Sequence, residues 1–158
     1  MAERPTAVAK VAEAAERLGL AITIREMTVP TRTAAEAAAA CGVTVGQIVK
    51  SLVFVGANTG AGYLLLVAGN NRVAESGVAE RLGEPLRRPD AATVRDLTGF
   101  AIGGIPPFGH ATPLTTVMDP DLLAHDLVWA AAGTPNAVFS VAPAALRDAV
   151  GAPVIQVT

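Results

Sequence analysis

Lys50-Ser51-Leu52-Val53-Phe54-Val55, then Gly56-Ala57-Asn58-Thr59-Gly60-Ala61-Gly62, then Tyr63-Leu64-Leu65-Leu66-Val67-Ala68, is the stretch whose reading decides the fold. Two short apolar runs, rich in Val, Leu and aromatic residues, flank a segment with three glycines. Runs of this length are strand-sized, and the glycine-rich segment between them is turn chemistry. The pattern predicts a β-hairpin with a flexible tip.

Working outward, the short strands are interleaved with capped helices. Val8, Val11, Ala12, Ala15 and Leu18 recur at helical spacing and stop at Gly19, which predicts a surface helix over Thr6 to Leu18. Ala21 to Met27 reads as a short strand. Thr33-Ala34-Ala35-Glu36 is a capping box ahead of an alanine-rich helix that ends at Gly42, and Thr44-Val45-Gly46-Gln47 opens a further turn that delivers the chain to Lys50. Beyond the hairpin, helices are predicted from about Ala74 to Leu82 and from about Asp90 to Leu97, with Leu86-Arg87-Arg88 as a brief edge strand. Leu114 to Met118, Leu127 to Ala131 and Val138 to Val141 read as strands, Pro143 starts a last helix, and Val154 to Val157 can add a terminal strand. Several neighbouring strands are joined by turns too short for parallel crossovers. The class is therefore α+β: one domain spanning residues 1–158, with a curved, mixed, mainly antiparallel and barrel-like sheet flanked by helices.

Composition sets bounds on function. The chain has 158 residues, 51% of them hydrophobic, enough for one well-buried core and too few for two. No run approaches the roughly 18 to 20 apolar residues of a membrane span. Met1-Ala2-Glu3-Arg4-Pro5 lacks the pattern of a secretory leader, so a soluble, cytoplasmic protein with no membrane partner is expected. A formal net charge of −2 argues against extensive contact with a phosphate backbone, while leaving room for a small contact with a nucleic-acid end. The one cysteine, Cys41, excludes an intramolecular disulfide and reads as a small apolar helix residue.

Gly103-Gly104-Ile105-Pro106-Pro107-Phe108-Gly109-His110 is a second informative stretch. Three glycines and two adjacent prolines in eight residues form a shaped loop. Glycine lets another molecule approach the main chain, and proline stiffens it and removes donors at chosen points. Lys50 is the third signal. Ten of the twelve basic residues are arginine, and the only lysines are Lys10 and Lys50. A compact ammonium at a strand entrance either snorkels into water or performs a task that suits a point charge.

The usual catalytic signatures are missing: no nucleophile elbow, no zinc-binding His pair, no phosphate loop and no dinucleotide fingerprint. His110 and His125 are the only histidines; His125 reads as a surface or capping residue. Asp119-Pro120 is explained as a helix cap followed by proline at the first helical position. An enzyme built on this chain is expected to work without a metal, a cofactor or a Ser/His/Asp triad.

Taken together, Gln47 to Phe54, the turn Val67-Ala68-Gly69-Asn70-Asn71-Arg72-Val73, the loop Gly99 to His110, and Trp129-Ala130-Ala131-Ala132-Gly133-Thr134 resemble the YbaK/prolyl-tRNA synthetase editing-domain family. The match runs from about Thr33 to Val157, and the order and spacing of the pieces carry it. Family members hydrolyse mischarged aminoacyl-tRNA, and the family fold agrees with the reading above. The resemblance implies that Lys50 holds the 3′-terminal nucleotide of the tRNA, and that Gly103-x-x-x-Pro107 is the family loop whose backbone borders the aminoacyl ester.

The implied function is a freestanding deacylase that acts in trans on a tRNA mischarged with a small amino acid: alanine, serine, threonine or cysteine. Its partners would be the acceptor end of the aminoacyl-tRNA and, in some settings, a synthetase. An aminoacyl ester is already activated, so a placed water and N–H donors aimed at the developing oxyanion supply much of the acceleration. The candidate catalytic set is Lys50, Gly103, Gly104 and Ile105, with Phe108 and Gly109 as further N–H donors; Pro106 and Pro107 have none. Pro106, Pro107, Phe108, Gly109, His110, Gly133 and Thr134 are candidate substrate contacts, with Ile102, Ile105 and the Thr28 to Thr33 segment as pocket walls. His110 either contacts substrate or is a loop residue bonded to a carbonyl. Synthetase-inserted members carry a histidine after the glycine of the Gly133 loop; here Thr134-Pro135-Asn136 follows. Two alternatives stand beside the deacylase: a non-catalytic tRNA- or nucleotide-binding module of the same fold, and a hydrolase of another small aminoacyl ester.

Overall fold

The computed structural model describes residues 6–158; Met1 to Pro5, read above as lacking a leader, lie outside the described residues. The chain runs α1 (Ala7–Arg17), β1 (Ile24–Glu26), α2 (Ala34–Cys41), β2 (Val49–Gly56), β3 (Gly62–Ala68), α3 (Glu75–Leu82), β4 (Leu86–Arg87), α4 (Ala91–Thr98), β5 (Thr115–Met118), β6 (Val128–Ala131), β7 (Ala137–Val141) and α5 (Pro143–Val150). Local sequence signals account for most of these ends. Thr6 Oγ1 accepts from Ala9 N–H at the start of α1, and the Thr33–Glu36 capping box closes at both of its bonds. Asp90 accepts from Thr93 N–H, and Pro143 opens α5.

β2 and β3 pair antiparallel in the register Val49↔Ala68 through Val55↔Gly62, which establishes the hairpin. β3 is central and buried on both faces, so its sequence shows no polar alternation. Leu64, Leu66 and Ala68 face a core shared with α1, β6, β7 and α5, and Tyr63, Leu65 and Val67 face a second cluster with Val78 of α3. β5 lies parallel to β3, reached by a crossover containing α3, β4 and α4. Among the described residues, no helix is long and apolar enough to cross a membrane.

Three expectations need correction. The strands form two sheets, in the orders β1-β7-β6 and β4-β2-β3-β5, rather than one barrel-like sheet. Besides sharing a core, the sheets are joined among the described residues by one parallel backbone bridge, Ile48–Trp129. Beyond it a gap opens between β2 and β6, lined by Thr31–Ala34, Ile102, Gly103 and Ile105. The hairpin tip is pinned: Glu84, only 7% exposed, accepts from Asn58 N–H, Thr59 N–H, Thr59 Oγ1 and the Tyr63 hydroxyl. These bonds hold the Glu84 carboxyl down at about 2, the Tyr63 hydroxyl contributing most. Val154–Val157 is not a full strand. It makes one bridge to Met118, and Val157 is fully buried, with its C=O accepting from Ala74 N–H. This segment therefore pairs with the end of β5 at Met118 alone.

Candidate functional site

The gap between the sheets is a cleft of about 350 Å³. Its walls come from Thr31–Ala34 and Ala37, from Ile48–Leu52 at the start of β2, from Ile102, Gly103 and Ile105, and from β6 with Val138. β4 pairs only with Val55 and Gly56, so the rest of that edge of β2, opposite β3, has no strand partner beside the cleft among the described residues. The turn before β2 sets this edge in place. Thr44 donates from N–H and Oγ1 to Gln47 Oε1, and Gln47 Nε2 reaches the Leu127 carbonyl at 3.4 Å, tying the entry of β2 to that of β6.

Lys50 stands at the mouth. It is half-buried, and its ammonium donates to the carbonyl of Asn71 in the turn after β3. The turn is itself held: the Asn71 amide donates to Asp119 at 2.8 Å and to Asp121 at 2.7 Å. Asp119, 2% exposed, also accepts from Ala68 and Asp121 N–H groups. Its role thus extends beyond capping to fixing the platform on which Lys50 rests. Burial lowers the Lys50 pKa, Arg72 lowers it further, and Asp119 opposes both. Arg32 lines the same cleft, and Arg25 lies 5.2 Å over the ring of Trp129. Lys50 and Arg32 thus bring two cations to the cleft, with Asp119 as a counter-charge near Lys50.

The glycine-proline loop supplies the facing wall. Thr98, fully buried, donates to the Val94 carbonyl and accepts from Phe100 N–H, which turns the chain sharply out of α4. Gly103 then takes φ of +96°, over the Arg32 side chain, a conformation closed to most residues. Gly104 N–H donates to Ala101 C=O at 3.1 Å, and Gly104 C=O accepts from Gly133 N–H at 2.9 Å. Among the described residues, the N–H groups of Gly103 and Ile105 have no hydrogen-bond partner. Of the five donors named from the sequence, these two adjoin the cleft with a free hydrogen, whereas that of Gly104 closes a turn.

The structure thus brings Lys50, Gly103 and Ile105 to one cleft, with Gly104 directly behind. Pro106 is buried, and its carbonyl accepts from His110 Nε2–H at 2.8 Å. Burial lowers the His110 pKa against the opposing pull of that carbonyl. Pro107, Phe108, Gly109 and His110 line a different hollow, on the α1 and α5 side of the loop. There Phe108 packs against Phe139 with ring centroids 5.6 Å apart. Gly133 and Thr134 lie behind Gly104. Thr134 Oγ1 bonds Asn136, whose amide donates to Met27 C=O, while Thr31 donates from N–H and Oγ1 to Pro135 C=O. This turn holds the Thr31 wall in place. Sequence reasoning passed over Ser51, a hydroxyl inside an apolar strand; the one available signal was that polarity.

The cleft thus combines Lys50 and Arg32 with the unpartnered N–H groups of Gly103 and Ile105. Comparisons with known proteins give the family. The chain is 47% identical to a solved structure assigned provisionally as a trans-editing enzyme for prolyl-tRNA synthetase, with 99% of each chain covered and a TM-score of 0.91. It is 36% identical to hypothetical protein APE2540, covering 94% of this chain and 98% of that one at a TM-score of 0.87. Uncharacterized protein YwhH of Bacillus subtilis (strain 168) is 28% identical over 125 residues, 79% of each chain. Residues 28–149 match the family model for the aminoacyl-tRNA editing domain, a span that contains every wall of the cleft, and the chain accordingly belongs to that editing-domain (YbaK) family.

Proposed function

We propose that this protein is a freestanding aminoacyl-tRNA deacylase that acts in trans on tRNA carrying a small, wrongly attached amino acid. The observation that carries the reading is the juxtaposition of Lys50 at the cleft mouth with the unpartnered Gly103 and Ile105 N–H groups on the facing wall. Lys50 holds the terminal nucleotide through its phosphate or ribose. The ester carbonyl lies along the loop, and water adds to its carbon. The oxyanion that forms is stabilised by N–H donors that need no reorganisation. Collapse breaks the ester C–O bond, leaving a free amino acid and a tRNA with its terminal hydroxyl restored. The vicinal ribose hydroxyl orients the water, so no protein base is required. Lys50 anchors and does not act as a base.

The likeness to the prolyl-tRNA synthetase trans-editing structure supports a partnership with such a synthetase, which would supply affinity for the tRNA body. The test is hydrolysis of aminoacyl-tRNA with and without excess uncharged tRNA. Release of amino acid that uncharged tRNA suppresses supports the reading. Hydrolysis indifferent to the competitor identifies a small-ester hydrolase instead, and no hydrolysis with retained tRNA binding identifies a binding module.

A further inference from the structure

Ser51 follows Lys50 in β2 and points to the opposite face of the strand. Val49 and Val53 on either side of it, and its cross-strand partner Leu66, all pack in the core between the two sheets. Ser51 therefore turns inward, to the side where Ile105 and Ala130 of the cleft wall also pack. Its Oγ is buried, and among the described residues it has no hydrogen-bond partner. A buried hydroxyl without a partner costs stability, and replacing it with an apolar group of similar size is neutral or favourable to the fold. No hydrogen bond within the fold accounts for this oxygen, and Ser51 is one of the residues that line the cleft.

We infer that the Ser51 hydroxyl is a specificity determinant that recognises the side-chain hydroxyl of a seryl or threonyl ester. This rests on the deacylase reading and narrows its substrate class. The surroundings of the oxygen decide which substrate group reaches it. Val49, Ile105 and Ala130, apolar residues of the same core cluster, line the cleft with Ser51, and against such walls the charged α-ammonium would lose its hydration without a counter-charge. A neutral hydroxyl both donates to and accepts from Ser51, whereas a thiol does so weakly and an alanyl methyl leaves the oxygen unpaired. Sites built to bond a substrate hydroxyl reject the analogue lacking it far better than apolar walls reject an extra methylene.

The experiment charges one tRNA with serine or with alanine, so that only the side chain differs, and compares kcat/KM for wild type and Ser51→Ala. The wild type is expected to favour the seryl ester at least about tenfold. In Ser51→Ala that ratio is expected to fall at least about tenfold, with a melting temperature no lower than that of the wild type. A merely structural serine would leave the ratio unmoved, and an equal ratio in the two proteins, or a wild type that favours alanine, overturns the inference while leaving the deacylase reading standing. If the wild type cleaves neither these esters nor any other aminoacyl-tRNA, both fall.

Discussion

The backbones of Gly104 and Gly133 touch: Gly133 N–H donates to Gly104 C=O at 2.9 Å, and a Cβ built on Gly104 would lie 2.8 Å from the Gly133 carbonyl. This contact sets the glycine-proline loop against the β6–β7 turn, and so fixes how far the Gly103 and Ile105 donors stand from β2. Gly104→Ala is expected to destabilise the protein by about 1–3 kcal/mol through this overlap with rigid main chain. Gly77→Ala, inside α3 with its Cβ only in ordinary contact with Arg81 at 3.7 Å, is expected to stabilise by about 0.5–1 kcal/mol. Denaturant melts of the two variants should move in opposite directions, and movement in the same direction would refute the assigned contact.

Glu84 makes an acid-sensitive clamp on the hairpin. Its carboxyl lies at about 2 in the folded protein against an ordinary 4.5. Between those values the unfolded chain binds the proton more readily than the folded one, so stability rises with pH there. The contribution is full above about pH 4.5 and is lost as pH falls toward 2. Glu84→Gln is expected to be less stable than wild type at neutral pH, and to lose less further stability on acidification. Parallel melting curves from pH 6 to 2 would show that the clamp does not titrate as described.

Salt dependence reports how many cations meet the tRNA. Lys50 and Arg32 line the cleft and Arg72 lies near enough to Lys50 to act on its charge, and the chain as a whole is acidic. The log–log slope of KM against salt should therefore be no steeper than about 3 in magnitude. A much steeper slope would extend the nucleic-acid surface to Arg81, Arg87, Arg88 and Arg95.

What was legible in the sequence was local. Thr33 with Glu36, Asp90 with Thr93 and the glycines that stop helices lie within a few residues of what they control, and the hairpin at Lys50 announced itself by composition. What was not legible was tertiary. Glu84 meets Tyr63 across 21 positions and Asn58 across 26, and Thr31 meets Pro135 across 104. No periodicity encodes such pairs, and for the same reason the tip of the hairpin read as flexible. The parting of the two sheets after Ile48 was equally invisible, because it is a relation between segments far apart in sequence, joined by a backbone bridge only at Ile48 and Trp129 among the described residues. Lys50, Gly103 and Ile105 line the cleft. Pro107 to His110 belong to the same motif, yet Phe108 is drawn to the opposite side by Phe139.

The central claim is that the cleft beside Lys50 hydrolyses aminoacyl-tRNA, and it is tested most directly by deacylation of tRNAs charged with alanine, serine, threonine or cysteine, wild type against Lys50→Ala. The account predicts that the wild type releases the amino acid from one or a few of these. It predicts that the variant, folded as judged by its melting curve, is at least about tenfold slower, a loss of about 1.4 kcal/mol of transition-state stabilisation. Wild-type rates in the variant, or no hydrolysis across the panel by the wild type, would contradict it.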